Sequence, residues 1–257
     1  MASNLRRLVV LGPAGTIYPG SAQDYRSASN RAFVKDTKTK WIRLWADWPT
    51  LMPSPGQLDA ARIAALDAQI AQAKADGLKV ILTSYRFPTW ANGTDRLTDA
   101  QLAATMPDRR TSTESDTKAK TLLFRYPDDV SAPSAWGQWI ALLVARYSAN
   151  SRTRPNSRAV IDFLELCNEP NLQWWPQQAP STTGDPYAQG RIVVHDVVVR
   201  MFQTAAAITA PYGSAPGLMG PGTSDGTDTN RLKTGYASLV NRLLDSFGAA
   251  GFTPGPS

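Results

Sequence analysis

The segment with the clearest chemical potential spans residues 161 to 171 and reads IDFLELCNEPN. Its hydrophobic first half predicts a buried strand, and Pro170 ends strand pairing directly after Glu169. A carboxylic acid is therefore expected at the carboxyl end of a parallel strand, where barrel enzymes carry their catalytic groups. Cleavage of a glycosidic bond needs such an acid beside the leaving oxygen and a second carboxylate across the sugar. Glu169 suits the first task, and Asn168 is placed to hydrogen-bond a sugar hydroxyl.

Aromatic residues accompany this segment, and their rings pack well against the apolar faces of sugars. The chain has eight tryptophans, several of them at or just beyond predicted strand ends. Those expected to form sugar-stacking platforms are Trp45, Trp90, Trp174 and Trp175. Arg43 is expected to hold the polar edge of the sugar together with Asn168. Trp136 and Trp139 follow a helical pattern instead, so we expect them in the core.

Some of these assignments have structural alternatives. Glu169 also fits a solvent-exposed loop acid that caps the segment after it. Glu165, four residues earlier and on the same strand face, is expected to support the site. With Arg43 it equally fits a buried structural ion pair, because barrel interiors need satisfied polar groups. Cys167 is expected to fill space beneath the site, since no partner residue is arranged to make it a nucleophile.

The elements that must position these residues alternate between short apolar runs and helical spacing, which predicts a parallel α/β fold. The predicted strands are 8–11, 41–45, 78–84, 160–166 and 218–221. The predicted helices are 21–38, 59–76, 136–147, 191–208 and 236–247. A long polar insertion at 92–129 is expected to overhang a pocket. We interpret the chain as one domain, residues 1–257, of the (β/α)8 barrel type, with about five βα units present and the barrel incomplete at the carboxyl terminus.

These motifs together resemble clan A glycoside hydrolases, particularly the family 5 endoglucanases and the family 39 β-xylosidases and α-iduronidases. The fourth barrel strand of those enzymes ends in the same Asn-Glu-Pro, with the same spacing from an earlier glutamate. Residues 41–45 resemble the family's second strand, whose arginine supports the site. The turn at 52–59 resembles its P-x-P-G-x-x-D pattern, and residues 77–90 resemble its third strand with a Pro-x-Trp ending. The resemblance covers about residues 40 to 225.

The resemblance implies hydrolysis of an O-glycosidic bond in an oligo- or polysaccharide with retention of configuration. Glu169 would be the general acid and base, and neither a cofactor nor a metal is implied. The nucleophile of the clan is a glutamate on the seventh strand, so it is expected beyond Ser257, in a missing segment or a second chain that completes the barrel. The nearby carboxylates that we nominate as substitutes for it are Asp47, Asp225 and Asp228. Negligible activity is therefore expected of the isolated chain, and the alternative is an inactive carbohydrate-binding or scaffold fragment of the same fold.

Composition excludes several other classes of function. The net charge is +6, but the basic residues are scattered, which argues against a nucleic-acid surface. No run approaches the ~18 apolar residues needed to cross a bilayer, and no signal peptide is visible, so a soluble chain of unknown location is expected. His195 is the single histidine and predicts no metal site. The glycines at 12 and 15 lack the lysine and hydroxyl residues of a phosphate-binding loop.

Overall fold

The computed structural model describes residues 8–10, 24–98, 100, 123, 126–127, 129–151, 158–168 and 188–220. Five strands in these ranges form one sheet, and every neighbouring pair is parallel. The strands are β1 (Leu8–Val10), β2 (Trp41–Asp47), β3 (Lys79–Tyr85), β4 (Phe163–Glu165) and β5 (Gly217–Met219). Their order in the sheet is their order in the chain, as in a (β/α) barrel. The predicted barrel-type α/β fold is confirmed, as an open five-stranded sheet within the described residues.

Helices follow the first four strands. They are α1 (Ala28–Asp36), α2 (Trp48–Leu51), α3 (Ala60–Ala75), α4 (Thr89–Asn92), α5 (Ala135–Tyr147) and α6 (Ala188–Thr209). The bounds of α3 match the prediction to within one residue, because both of its ends carry strong signals. Asp59 accepts hydrogen bonds from the N–H groups of Ala61 and Arg62, and Gly77 leaves the helical conformation with a φ of 76°. The helix predicted at 236–247 lies outside the described residues.

Two elements are shorter than predicted by several residues. Helix α1 begins at Ala28 because Ser27 caps it, its hydroxyl accepting a bond from the N–H of Asn30. Strand β4 begins only at Phe163, because the Asp162 carboxylate accepts the backbone N–H of Val80 at 2.8 Å. A side chain thus takes the place of a backbone partner at the start of the strand.

The chain divides into two compact units. Unit 1 contains Met1–Tyr85, Trp139–Leu166 and Ile208–Gly220, and therefore the whole sheet. Unit 2 contains Arg86–Gln138, Cys167–Ala207 and Pro221–Ser257. The single domain expected from the sequence remains a prediction.

One face of the sheet in unit 1 packs against helices. Ser84 of β3 accepts a hydrogen bond from Trp139 Nε1 of α5 at 3.1 Å, and the Trp139 ring stacks on Trp48 with a centroid distance of 5.5 Å. Trp139 is 1% exposed, as predicted for a core residue. Asp67 of α3 accepts a bond from Tyr147 of α5 at 2.9 Å, which ties the two helices together. Side chains alternate along a strand, so the other face of the sheet carries the remaining residues of β3.

Unit 2 holds the amino end of α5 in a tight turn. Ser134 accepts the N–H of Gly137 at 3.1 Å through its hydroxyl. The carbonyl oxygens of Ser131 and Ala132 approach Gly137 so closely that a Cβ there would lie 2.2 and 2.4 Å from them. Only glycine fits this approach, since those atoms are backbone. Trp136, in the same turn of α5, is fully buried, as predicted.

Candidate active site

Several polar residues of unit 1 lie on the face of the sheet that points away from the helices. Ser84 marks the helix face, so its neighbours Thr83 and Tyr85 point to the opposite side. The parallel register pairs Trp45 with Thr83 and Thr83 with Glu165, which puts these three side chains in one row across β2, β3 and β4. Arg43 lies two residues before Trp45 and therefore on the same face. This row lies near the carboxyl ends of the strands, where barrel enzymes carry their sites.

Arg43 and Glu165 form a buried ion pair on this face. Arg43 Nη2 lies 2.5 Å from Glu165 Oε2, and the two side chains are 13% and 2% exposed. Arg43 Nε lies 2.6 Å from the same oxygen. The ion pair that the sequence left as an alternative to substrate contact is thus present, and it ties β2 to β4 across the intervening strand.

Thr83 completes the cluster from the central strand. Its hydroxyl oxygen lies 2.5 Å from Glu165 Oε2 and 2.8 Å from Arg43 Nε. Thr83 is fully buried. We refer to Arg43, Thr83 and Glu165 as the strand clamp, because each residue comes from a different strand and all three meet at one carboxylate oxygen.

Trp45 lies beside the strand clamp. The guanidinium carbon of Arg43 is 4.6 Å from the centre of the Trp45 ring, and the ring of Tyr85 meets Trp45 edge-on at 4.3 Å. Trp45 is 6% exposed, so Arg43 and Tyr85 cover much of the platform that the sequence assigned to a sugar. Tyr85 is partly exposed at the end of β3, and the sequence did not single it out.

Asp47 ends β2 on the same face of the sheet. It is 4% exposed, and its carboxylate accepts a short hydrogen bond from the hydroxyl of Thr50. Asp47 is the described member of the three carboxylates named from the sequence as substitutes for a nucleophile. Its role as a substitute stays a prediction, and Asp225 and Asp228 lie outside the described residues.

Residues of unit 2 continue the chain beyond β4. Cys167 is fully buried, and the hydroxyl of Tyr126 interacts with it. Burial raises the pKa of Tyr126 well above its usual value, with a smaller contribution from Cys167, so this phenol stays protonated. Asn168 follows and is 5% exposed. Trp90 lies in α4 and is partly buried.

The structure leaves other predicted site residues undescribed. Glu169, Trp174 and Trp175 lie outside the described residues, so the position expected for the Glu169 carboxyl at the end of its strand stays a prediction. Among the described residues, no group of three or more His, Cys, Asp or Glu side chains is arranged to hold a metal ion. No helix in that part of the chain is long and apolar enough to cross a bilayer.

Comparisons with known proteins give matches among solved structures alone. No protein-family model matches the chain, and no curated protein matches it. The similar structures include a GH5-4 broad specificity endoglucanase from Clostridium acetobutylicum, with 15% identity and a TM-score of 0.46. The match covers 93% of this chain and 58% of the endoglucanase chain. A β-glucosidase from Exiguobacterium marinum has 12% identity and a TM-score of 0.41, with coverages of 76% and 36%.

A third similar structure is a family 39 glycoside hydrolase from the gut symbiont Bacteroides cellulosilyticus, with 12% identity and a TM-score of 0.39. The match covers 85% of this chain and 32% of the family 39 chain. The chain therefore spans between 32% and 58% of the length of these structures. All of them are glycoside hydrolases, the class of protein that the sequence motifs resemble.

Proposed function

We propose that this chain carries the acid/base part of a retaining glycoside hydrolase site, with Glu169 as the general acid and base. The observation that most supports the proposal is the location of the Asn-Glu-Pro sequence. Its first residue, Asn168, is buried and follows three residues after the end of β4, in a sheet whose strand order is that of a barrel. Barrel enzymes hold their catalytic residues at this end of a strand, and Glu169 is the residue directly after Asn168.

The strand clamp supports the choice of Glu169 over Glu165 as the acid. Two nitrogens of Arg43 and the hydroxyl oxygen of Thr83 each lie within 2.6 Å of Glu165 Oε2. A carboxylate that is committed to such a buried pair is held as an acceptor, whereas a general acid must give a proton to the leaving oxygen. Glu165 therefore has a supporting role, and the acid role falls to Glu169.

In the proposed first step, Glu169 gives its proton to the glycosidic oxygen as the bond to the anomeric carbon breaks. A second carboxylate bonds to that carbon from the opposite face and forms a glycosyl ester. In the second step, the ionised Glu169 takes a proton from water, whose oxygen attacks the anomeric carbon and releases the carboxylate. The two carboxyl groups must stand ~5–5.5 Å apart. We assign the second carboxylate to no described residue.

The proposed substrate is an oligo- or polysaccharide. Trp45, Trp90, Trp174 and Trp175 are the proposed stacking residues. Asn168 and Arg43 are the proposed hydrogen-bonding residues at the polar edge of the sugar. Neither a metal nor an organic cofactor takes part in the proposed chemistry.

The proposal is tested by Glu169→Gln, with Asp95→Asn as the matched carboxyl-to-amide control on an exposed residue. Release of reducing sugar from cellulose, xylan and mannan oligosaccharides is measured for this chain and for any longer polypeptide of which it forms a part. We expect Glu169→Gln to lower kcat by at least ~100-fold, the usual worth of a general acid, and Asp95→Asn to leave it unchanged. Equal activity of the wild type and Glu169→Gln in a polypeptide that hydrolyses these sugars would contradict the proposal.

A further inference from the structure

The hydrogen bonds of Thr83 have a fixed direction. An arginine side chain only donates and an ionised carboxylate only accepts. The hydroxyl of Thr83 lies 2.8 Å from Arg43 Nε and 2.5 Å from Glu165 Oε2. Its one hydrogen must therefore point at Glu165, and its oxygen must accept from Arg43. The neutral residue in the middle of the strand clamp thus bonds both charged partners at once.

This arrangement contributes to the orientation of the Arg43 guanidinium. Arginine and a carboxylate often pair through two parallel bonds, one to each oxygen. Here Nε and Nη2 both lie within 2.6 Å of Oε2, the same oxygen that Thr83 contacts. Nε also donates to the Thr83 hydroxyl of β3 at 2.8 Å. In this orientation the guanidinium carbon lies 4.6 Å over the Trp45 ring.

We infer that Thr83 is a positioning residue: its hydroxyl holds Arg43 against Trp45 and so sets the shape of the sugar-binding face of β2. The inference rests on the proposed function for the identity of the ligand. A valine has the shape of threonine but no hydroxyl, so Thr83→Val removes the acceptor that Arg43 Nε shares, and we expect the guanidinium to shift relative to the Trp45 ring. A serine keeps the hydroxyl, so Thr83→Ser keeps the geometry.

The orientation of Arg43 is measured by its Nε–H resonance in 15N-edited NMR, assigned by its loss in Arg43→Lys. We expect a slowly exchanging Nε–H signal in the wild type and in Thr83→Ser, because the proton is buried and shared by two acceptors. In Thr83→Val the signal should move and exchange faster with solvent. An unchanged signal in Thr83→Val would overturn the inference, because the hydroxyl would then hold nothing in place.

The effect on the ligand is measured by calorimetric titration of this chain with cellohexaose, xylohexaose and mannohexaose. For whichever sugar binds, we expect Thr83→Val to weaken binding by about tenfold, the usual effect when a ligand loses one hydrogen bond to a charged group, here to the displaced Arg43, and Thr83→Ser to restore it. Wild-type binding together with equal affinity in Thr83→Val would overturn the inference and leave the proposed function standing. A wild type that binds none of the three sugars, with the Nε–H signal behaving as expected, would instead count against the sugar site itself and therefore against both.

Discussion

Removal of one partner of the buried ion pair should destabilise the protein far more than removal of both. Glu165→Leu leaves the guanidinium of Arg43, which is only 13% exposed, without its carboxylate. Breaking a buried pair in this way costs ~3–5 kcal/mol of unfolding free energy, whereas replacing both partners by apolar residues of similar volume is often neutral. We therefore expect Glu165→Leu and Arg43→Met each to lose ~3–5 kcal/mol, and the double variant to recover most of that loss.

The measurement is urea-induced unfolding at neutral pH, followed by far-UV circular dichroism, for the wild type and the three variants. The two single changes should not add, and the coupling between them should reach at least ~2 kcal/mol. Each single variant should also melt roughly 10 °C below the wild type, at the usual shift per kcal/mol for a chain of this size. A double variant destabilised by the sum of the single losses would show that Arg43 and Glu165 do not act as a pair.

Two further perturbations test other parts of the fold. Gly137→Ala should lower the unfolding free energy by ~1–3 kcal/mol despite the higher helix propensity of alanine, because its Cβ would lie 2.2 Å from the Ser131 carbonyl oxygen. In the control Gly213→Ala the Cβ meets nothing within 4 Å, so the denaturation midpoint should change little. Equal losses in the two variants would refute the reasoning. Burial, and then the hydrogen bond to Asp76, raise the pKa of Tyr25 above its ordinary value, so the folded chain resists losing this proton. The resulting stability is present below the unfolded pKa of ~10 and is lost as the pH rises above it. Tyr25→Phe should therefore flatten the fall of the unfolding free energy between about pH 10 and 12. An unchanged slope would contradict the raised pKa of Tyr25.

The sequence predicted the elements whose ends carry local signals. Helix α3 was found within one residue because Asp59 and Gly77 determine its ends through their own chemistry. The start of α1 also carries a local signal, the Ser27 cap, which the predicted start at residue 21 passed over, whereas the start of β4 depended on a bond that pattern alone does not reveal. The shortening of β4 comes from the contact between Asp162 and Val80, which are 82 residues apart, so only the assembled sheet shows it.

The candidate site was predictable in its charged members and not in its neutral ones. Arg43 and Glu165 stood out because charges within apolar strands need partners. Thr83 gave no such signal, since threonine is an ordinary strand residue. Its importance follows from the register that puts it between Trp45 and Glu165, and sequence alone does not give that register. Tyr85 was missed for the same reason.

The dependence of hydrolysis on the leaving group tests the central claim, that Glu169 is the general acid, most directly. Aryl glycosides whose phenols range from strongly to weakly acidic are compared between the wild type and Glu169→Gln, in a polypeptide that hydrolyses them. An acidic phenol departs without protonation, so the first step of Glu169→Gln should be nearly as fast as that of the wild type for the most acidic phenols and slower by at least ~100-fold for the least acidic. The same loss of first-step rate for every phenol would contradict the assignment of Glu169 as the acid.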